Sequence, residues 1–144
     1  MKTAIIYYSA HHGNTRKLVE AVAQGRDVTL IDALTAKSAD LSGYDLIGFA
    51  SGIYFGKFQQ SVVEFAKNNL PQGKKVCFLS TYGGSNGTRA IEEAVKVKDA
   101  RIVGSFGCKG YDTFGPFRLV GGIAKGHPDE ADLKNARDFF DGLR

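Results

Sequence analysis

The chain has 144 residues, 43% of them hydrophobic and 24% charged, with a net charge of +4 and a pI near 9.1; this composition fits a soluble globular protein and excludes the disordered, fibrous and membrane classes. The positive excess is scattered, with no lysine- or arginine-rich cluster interleaved with aromatics, which argues against nucleic acid as a partner. Two isolated cysteines, Cys77 and Cys108, form no disulfide framework and no metal-ligand spacing, and no run is long enough for a signal peptide or membrane span, so the expectation is an untargeted, cytoplasmic protein with no bound metal and no membrane insertion.

Thr3 to Tyr8 is β-branched and aromatic and predicts a strand, while Leu18, Val19, Val22 and Ala23 recur at helical spacing. Residues 9 to 15 are then a strand-to-helix crossing. There the first N–H groups of a helix lack intrahelical partners and the helix dipole is positive, so an anion is the natural occupant. Gly13 supplies positive φ for a close backbone approach, and Ser9, Asn14 and Thr15 add side-chain donors. The stretch contains neither G-x-x-x-x-G-K-[ST] nor G-x-G-x-x-G, which excludes a Walker loop and a dinucleotide loop. His11 and His12 read equally as solvated loop residues and as phosphate contacts.

Asp27 to Leu34 alternates and predicts the second strand. Tyr44 to Ala50 is nearly continuous in apolar residues, as expected of a central parallel strand covered on both faces. Ser51-Gly52-Ile53-Tyr54-Phe55-Gly56-Lys57 then reads as a loop in which two glycines bracket aromatic side chains, before a helix carrying Val62, Val63, Phe65, Ala66 and Leu70 that Pro71 and Gly73 stop. Lys74 to Thr81 predicts the fourth strand and opens into a glycine loop, Tyr82-Gly83-Gly84-Ser85-Asn86-Gly87, followed by a helix over Thr88 to Val97. Ala100 to Cys108 predicts the fifth strand. Residues 109 to 126 hold Tyr111, Phe114 and Phe117 among glycines and read as an irregular flap. The closing helix has Pro128 near its first position, Asp129 and Glu130 in its first turn, and Leu133, Ala136, Phe139 and Phe140 as its core face.

No repeat or second-domain boundary interrupts residues 1–144. Strands alternating with helices predict one α/β domain: a three-layer, doubly wound, five-stranded parallel sheet of order 2-1-3-4-5. Its switch point falls between strands 1 and 3, so residues 9–15 and 51–57 face each other across a crevice and 81–87 complete the rim.

The hydroxyl-bearing turn Ser9 to Thr15 resembles the phosphate loop of the flavodoxins, FMN-binding electron carriers with the signature [ST]-x-T-G-x-T. Gly13-Asn14-Thr15 align with it, while the two upstream hydroxyl positions fall on Ala10 and His12. The resemblance implies that Ser9, His11, His12, Gly13, Asn14 and Thr15 hold the FMN phosphate. It implies further that Ser51, Gly52, Ile53, Tyr54, Phe55 and Gly56, together with Thr81, Tyr82, Gly83, Gly84 and Gly87, hold the isoalloxazine. Gly56 is then the counterpart of the family's peptide that flips when the flavin is reduced. Phe55 and Phe58 read equally as core residues, whereas the Tyr54 hydroxyl needs a polar outlet that a crevice mouth provides. The implied function is electron transfer between redox partner proteins, without a catalytic acid, base or nucleophile. Flavodoxins are acidic and this chain is basic, so a docking face of the usual sign is not expected. Ala50 to Phe58 and the spacing Ser9-x-x-x-Gly13-x-Thr15 are also similar to the quinone-dependent protoporphyrinogen oxidases of the same fold. That similarity implies, as the alternative, an FMN oxidoreductase acting on a small molecule, with 109–126 as its flap.

Overall fold

The computed structural model describes residues 1–9, 13–54, 56–83, 87–110 and 126–143. In chain order these form β1 (Thr3–Tyr8), α1 (Asn14–Ala23), β2 (Val28–Asp32), β3 (Leu46–Tyr54), β4 (Lys57–Phe58), α2 (Gln60–Asn69), β5 (Lys75–Tyr82), α3 (Arg89–Lys96), β6 (Arg101–Lys109) and α4 (Glu130–Asp141). The long strands are all parallel, in the order β2-β1-β3-β5-β6, and two-residue β4 folds back antiparallel on the end of β3. Counting the long strands alone, this is the expected 2-1-3-4-5 order.

The central strands are apolar on both faces because each face is covered. Ile47, Phe49 and Phe78 point into one core with Val62, Phe65 of α2 and Ile91, Val95 of α3. Ile5, Ala50 and Leu79 point into the other, with Leu18 and Val22 of α1 and Ala136 and Phe140 of α4. Burying each such large side chain contributes about 1.5 to 3 kcal/mol. The helices show the matching period: Leu18 and Val22, or Ala136 and Phe140, stand one turn apart on the buried stripe.

Of the boundaries that differ from the sequence reading, three have a clear structural cause. Strand β2 ends at Asp32 rather than Leu34, because the Asp32 carboxylate accepts the Leu34 N–H at 2.9 Å and its carbonyl accepts the Ala36 N–H at 2.9 Å, turning the chain. Ser51 to Tyr54 is strand, not loop. Gly52 is held in register by Thr81 of β5, and Ile53 and Tyr54 pair with Phe58 and Lys57 of β4; glycine and aromatic composition hid a hairpin. At the C-terminus Asp129 lies outside the first turn, as the N-cap of α4. Its carboxylate accepts the Asp132 N–H at 2.9 Å and the Asp132 carboxylate accepts the Asp129 N–H at 2.9 Å, a reciprocal capping box. Replacing Asp129 with alanine is expected to lower the unfolding free energy by about 1 kcal/mol. The readout is the urea midpoint at unchanged slope, and an unmoved midpoint would show that the cap contributes nothing.

Asp132 also accepts a hydrogen bond from His127 at 2.7 Å. Partial burial pushes its carboxyl up, but the bonds from His127 and from Asp129 outweigh burial and hold it below the ordinary carboxylate range. That stabilisation is complete above the ordinary carboxylate pKa and is lost as the pH falls through the lowered value. The flap expected over 109–126 lies, from 111 to 125, outside the described residues.

Candidate functional site

The C-terminal ends of β1, β3 and β5 stand level, with Tyr8 opposite Ser51, Gly52 opposite Thr81 and Thr81 opposite Cys108. Helix α1 leaves this edge on one face of the sheet and α2 on the other, so the chain divides between β1 and β3 and leaves a crevice above them.

On the β1 side, Gly13 is the N-cap of α1 in the left-handed region at φ +67°, where glycine carries no penalty. A Cβ built there would meet nothing within 4 Å, so the backbone faces open space. No acidic residue lies in the first turn of α1; Arg16 and Lys17 lie there instead. Cations are unfavourable at the positive end of a helix dipole; Glu20 offsets Arg16, and Lys17 has no carboxylate partner among the described residues. Local bonds fix the turn: the Ser9 hydroxyl accepts the Arg16 N–H at 3.1 Å, Arg16 pairs with Glu20 at 2.8 Å, and the Lys17 ammonium donates to the Pro128 carbonyl at 3.0 Å. Thr15 is buried at 2% exposure, its hydroxyl 3.0 Å from that of Thr81. That hydroxyl faces the end of β5, leaving the backbone of the turn as the part of Thr15 nearest the crevice.

On the β3 side, Ser51 is fully buried. It donates to the Gly52 carbonyl and accepts the Gln59 N–H at 2.9 Å, which closes the hairpin onto the cap of α2. Ile53 is a core residue beside Phe58. The aromatic element that reaches the edge is Tyr54. Its ring lies so close to Gly52 that a Cβ on that glycine would come within 3.2 Å of the Tyr54 hydroxyl, and it meets the Tyr8 ring edge-on, centroids 6.0 Å apart at 76°. Gly56 turns the hairpin at φ +75°.

The β5 crossing is packed directly against this hairpin. A Cβ on Gly87 would fall 2.1 Å from the Gly56 carbonyl oxygen, so the two backbones touch. Thr81 and Gly83 are buried and Tyr82 is half-buried against the α2–α3 core. The Tyr82 carbonyl accepts the Gly110 N–H at 2.9 Å, and a Cβ on Gly110 would fall 2.8 Å from the Asn14 amide nitrogen. Gly110 therefore joins the start of α1 to the end of β5. His11, His12, Phe55 and Gly84 lie outside the described residues.

Sequence reasoning missed Tyr8, Gln59 and Gly110. Tyr8 and Gly110 had a usable signal, because both sit where a parallel strand reaches the edge at which such sheets bind ligands. Gln59 had none, since its role depends on Ser51 eight residues earlier.

Two other groups have chemical potential. The thiols of Cys77 and Cys108 are both pushed up to about 12, by burial in each case and for Cys108 also by Asp132 and Asp129, so both stay protonated near neutrality. His127, Asp129 and Asp132 bring one donor atom each to within 4.8 Å of one another, with both carboxylates engaged in the cap of α4. A groove of about 460 Å³ between α2 and α3, lined by Val63, Ala94 and Val97, shares no residue with the crevice. Among the described residues no helix is long and apolar enough to cross a membrane.

Comparison with known proteins agrees with this geometry. The sequence model of the Flavodoxin domain matches residues 5–102. An uncharacterized protein of Methanocaldococcus jannaschii is 38% identical over 143 residues, which is 96% of this chain and 95% of that one. Among solved structures, a flavodoxin from the domain Archaea superposes with a TM-score of 0.72 at 19% identity, over 98% of this chain and 95% of its own. A Fusobacterium nucleatum flavodoxin bound to flavin mononucleotide superposes with a TM-score of 0.69 at 14% identity, over 99% and 97%.

Proposed function

The chain belongs to the flavodoxin domain family, and on that premise we propose that it binds FMN in the crevice between β1 and β3 and carries electrons between redox partner proteins. The observation that carries the reading is the start of α1: an unacidic, doubly cationic first turn behind a left-handed Gly13, opening toward the Gly52–Tyr54 edge one strand away. An anionic group with a flat aromatic body meets both requirements at once. The residues present fit it. Ser9, Gly13 and the backbone of Asn14 and Thr15 would hold the phosphate; Tyr54 and Tyr82 would flank the ring, with the touching backbones of Gly56 and Gly87 at its polar edge. When bound, the flavin supplies the redox chemistry, and the protein sets its potential through those backbone groups and nearby charge.

Thr15, Thr81 and Ser51 then work as supports rather than ligands, since their hydroxyls are buried and bonded to protein atoms. Both cysteines are buried and held as thiols near neutrality, which leaves them without the thiolate a nucleophile needs. The chain's own contribution is binding, orientation and electrostatics.

Titrating the apoprotein with FMN is the test. The expected outcome is one FMN per chain, retained through gel filtration, with a perturbed flavin spectrum that can be reduced and reoxidised reversibly. A protein that leaves FMN free in solution overturns the proposal.

A further inference from the structure

Charge at the site edge is distributed unlike charge on most of the helix surface. Most of the exposed cations on the helices face a carboxylate: Arg16 with Glu20, Lys67 with Glu64, Arg89 with Glu93, Lys134 with Asp138. Lys57 and Lys109 do not. Both are exposed, and neither has an acidic partner among the described residues. Their places are specific. Lys57 of β4 is the cross-strand partner of Tyr54, and Lys109, the last residue of β6, is the partner of Tyr82. One lysine therefore stands beside each tyrosine of the crevice. Only β5 lies between β3 and β6, so these two strands are roughly 10 Å apart at the usual spacing, and Lys57 sits on β4 beside β3. No aspartate or glutamate occurs among the described residues of the crossings after β3 and β5 up to the first residue of α3, or at 107–110, the end of β6 and the residue after it.

We propose that this edge, with Lys57 and Lys109 on either side of the two tyrosines, is the docking face for an acidic one-electron carrier protein. The inference rests on the flavoprotein reading above, because the carrier must approach the ring where it is least covered. With β4 one strand spacing from β3, the backbones of the two lysines are no more than roughly 15 Å apart; they act as one patch at low salt, where the Debye length is about 30 Å, and are largely screened at about 0.15 M, where it is about 8 Å. Complementary charge of this kind acts on encounter rate and orientation more than on final affinity. In each encounter one electron leaves the reduced carrier, which is oxidised, and enters the flavoprotein, which is reduced. A second encounter, with protons from solvent, completes two-electron reduction.

A second exposed basic pair gives the control. Lys75 and Arg101 are cross-strand partners at the opposite, N-terminal edge of the sheet, far from any electron exit. In stopped flow, FMN-loaded protein is mixed with reduced, acidic plant-type [2Fe–2S] ferredoxin as probe. The second-order rate is expected to fall about tenfold or more between about 0.01 M and 0.15 M ionic strength. The double change Lys57→Glu and Lys109→Glu should cut the low-salt rate about tenfold and flatten or invert the salt slope. Lys75→Glu with Arg101→Glu should leave both nearly unchanged. A wild-type rate that ignores or rises with salt overturns the proposal. So does a loss that follows the Lys75 and Arg101 changes, or faster transfer to basic cytochrome c than exchange with the ferredoxin. If instead Lys57 and Lys109 are needed to bind single-stranded DNA or phosphatidylserine vesicles while ferredoxin rates stay the same, the partner class is wrong. Only protein whose spectrum shows bound flavin enters the assay. Failure to bind flavin therefore counts against the proposed function, and a normal flavin spectrum with salt-insensitive transfer counts against the docking face alone.

Discussion

Gly87→Ala is expected to weaken FMN and riboflavin by the same factor, about ten- to a hundredfold. The new Cβ would lie 2.1 Å from the Gly56 carbonyl oxygen, a backbone atom that no rotamer change can move aside. The hairpin after β3 and the crossing after β5 must then separate by about 1 Å, an overpacking cost of roughly 1 to 3 kcal/mol. At 1.4 kcal/mol per tenfold, that cost appears as lost affinity wherever the ligand needs both loops together. Because the damage is at the ring end, the phosphate-free analogue suffers equally. Fluorescence titration of both flavins measures this, and an affinity untouched for either would show that the two loops do not share a ligand.

The complementary result is expected at Gly13. Wild-type protein should prefer FMN to riboflavin by about a hundredfold or more, since two hydrogen bonds to a charged group contribute roughly 1.5 to 3 kcal/mol each. Gly13→Ala should erode that preference by about five- to thirtyfold. The left-handed conformation at φ +67° costs an alanine about 1 to 2 kcal/mol, and relaxing it turns the first N–H groups of α1 away from the anion. Gly13→Asn should do less, because asparagine tolerates that region better. Riboflavin affinity should stay constant throughout the series. If Gly13→Ala reduces FMN and riboflavin binding alike, the phosphate does not sit at this turn.

The parts of this structure legible in the sequence are those dictated by neighbours along the chain. The apolar runs at 46–50 and 76–79 are buried on both faces as expected, and the helical spacing of Leu18, Val19 and Val22 puts all three in the core. Gly13 as the loop glycine was legible for the same reason, because a strand running directly into a helix leaves few places for a left-handed residue. The parts not legible depend on distant partners. The hydroxyl of Thr15 looked available for a ligand, yet it is buried against Thr81, 66 residues away. Ser51 looked like a loop hydroxyl and is instead sealed between Gly52 and Gln59. Gly52 and Tyr54 looked like a loop because their composition is that of one; Thr81 of β5 holds Gly52 in the sheet and β4 folding back does the same for Tyr54. Gly110 was marked only by its place at the end of a parallel strand; that it must be glycine follows from Asn14, which lies where a Cβ would go.

The Thr15–Thr81 contact has a consequence for how the molecule comes apart. It fastens the first turn of α1 to the tip of β5, passing over the end of β3 between them. A chain in which α1 undocks gives up that bond, a net contribution of about 0.5 to 1.5 kcal/mol, and hands the Thr81 hydroxyl to solvent. Loosening at the start of the helix is thus transmitted across the sheet, and amide exchange at 80–82 is expected to speed up together with exchange at 14–17.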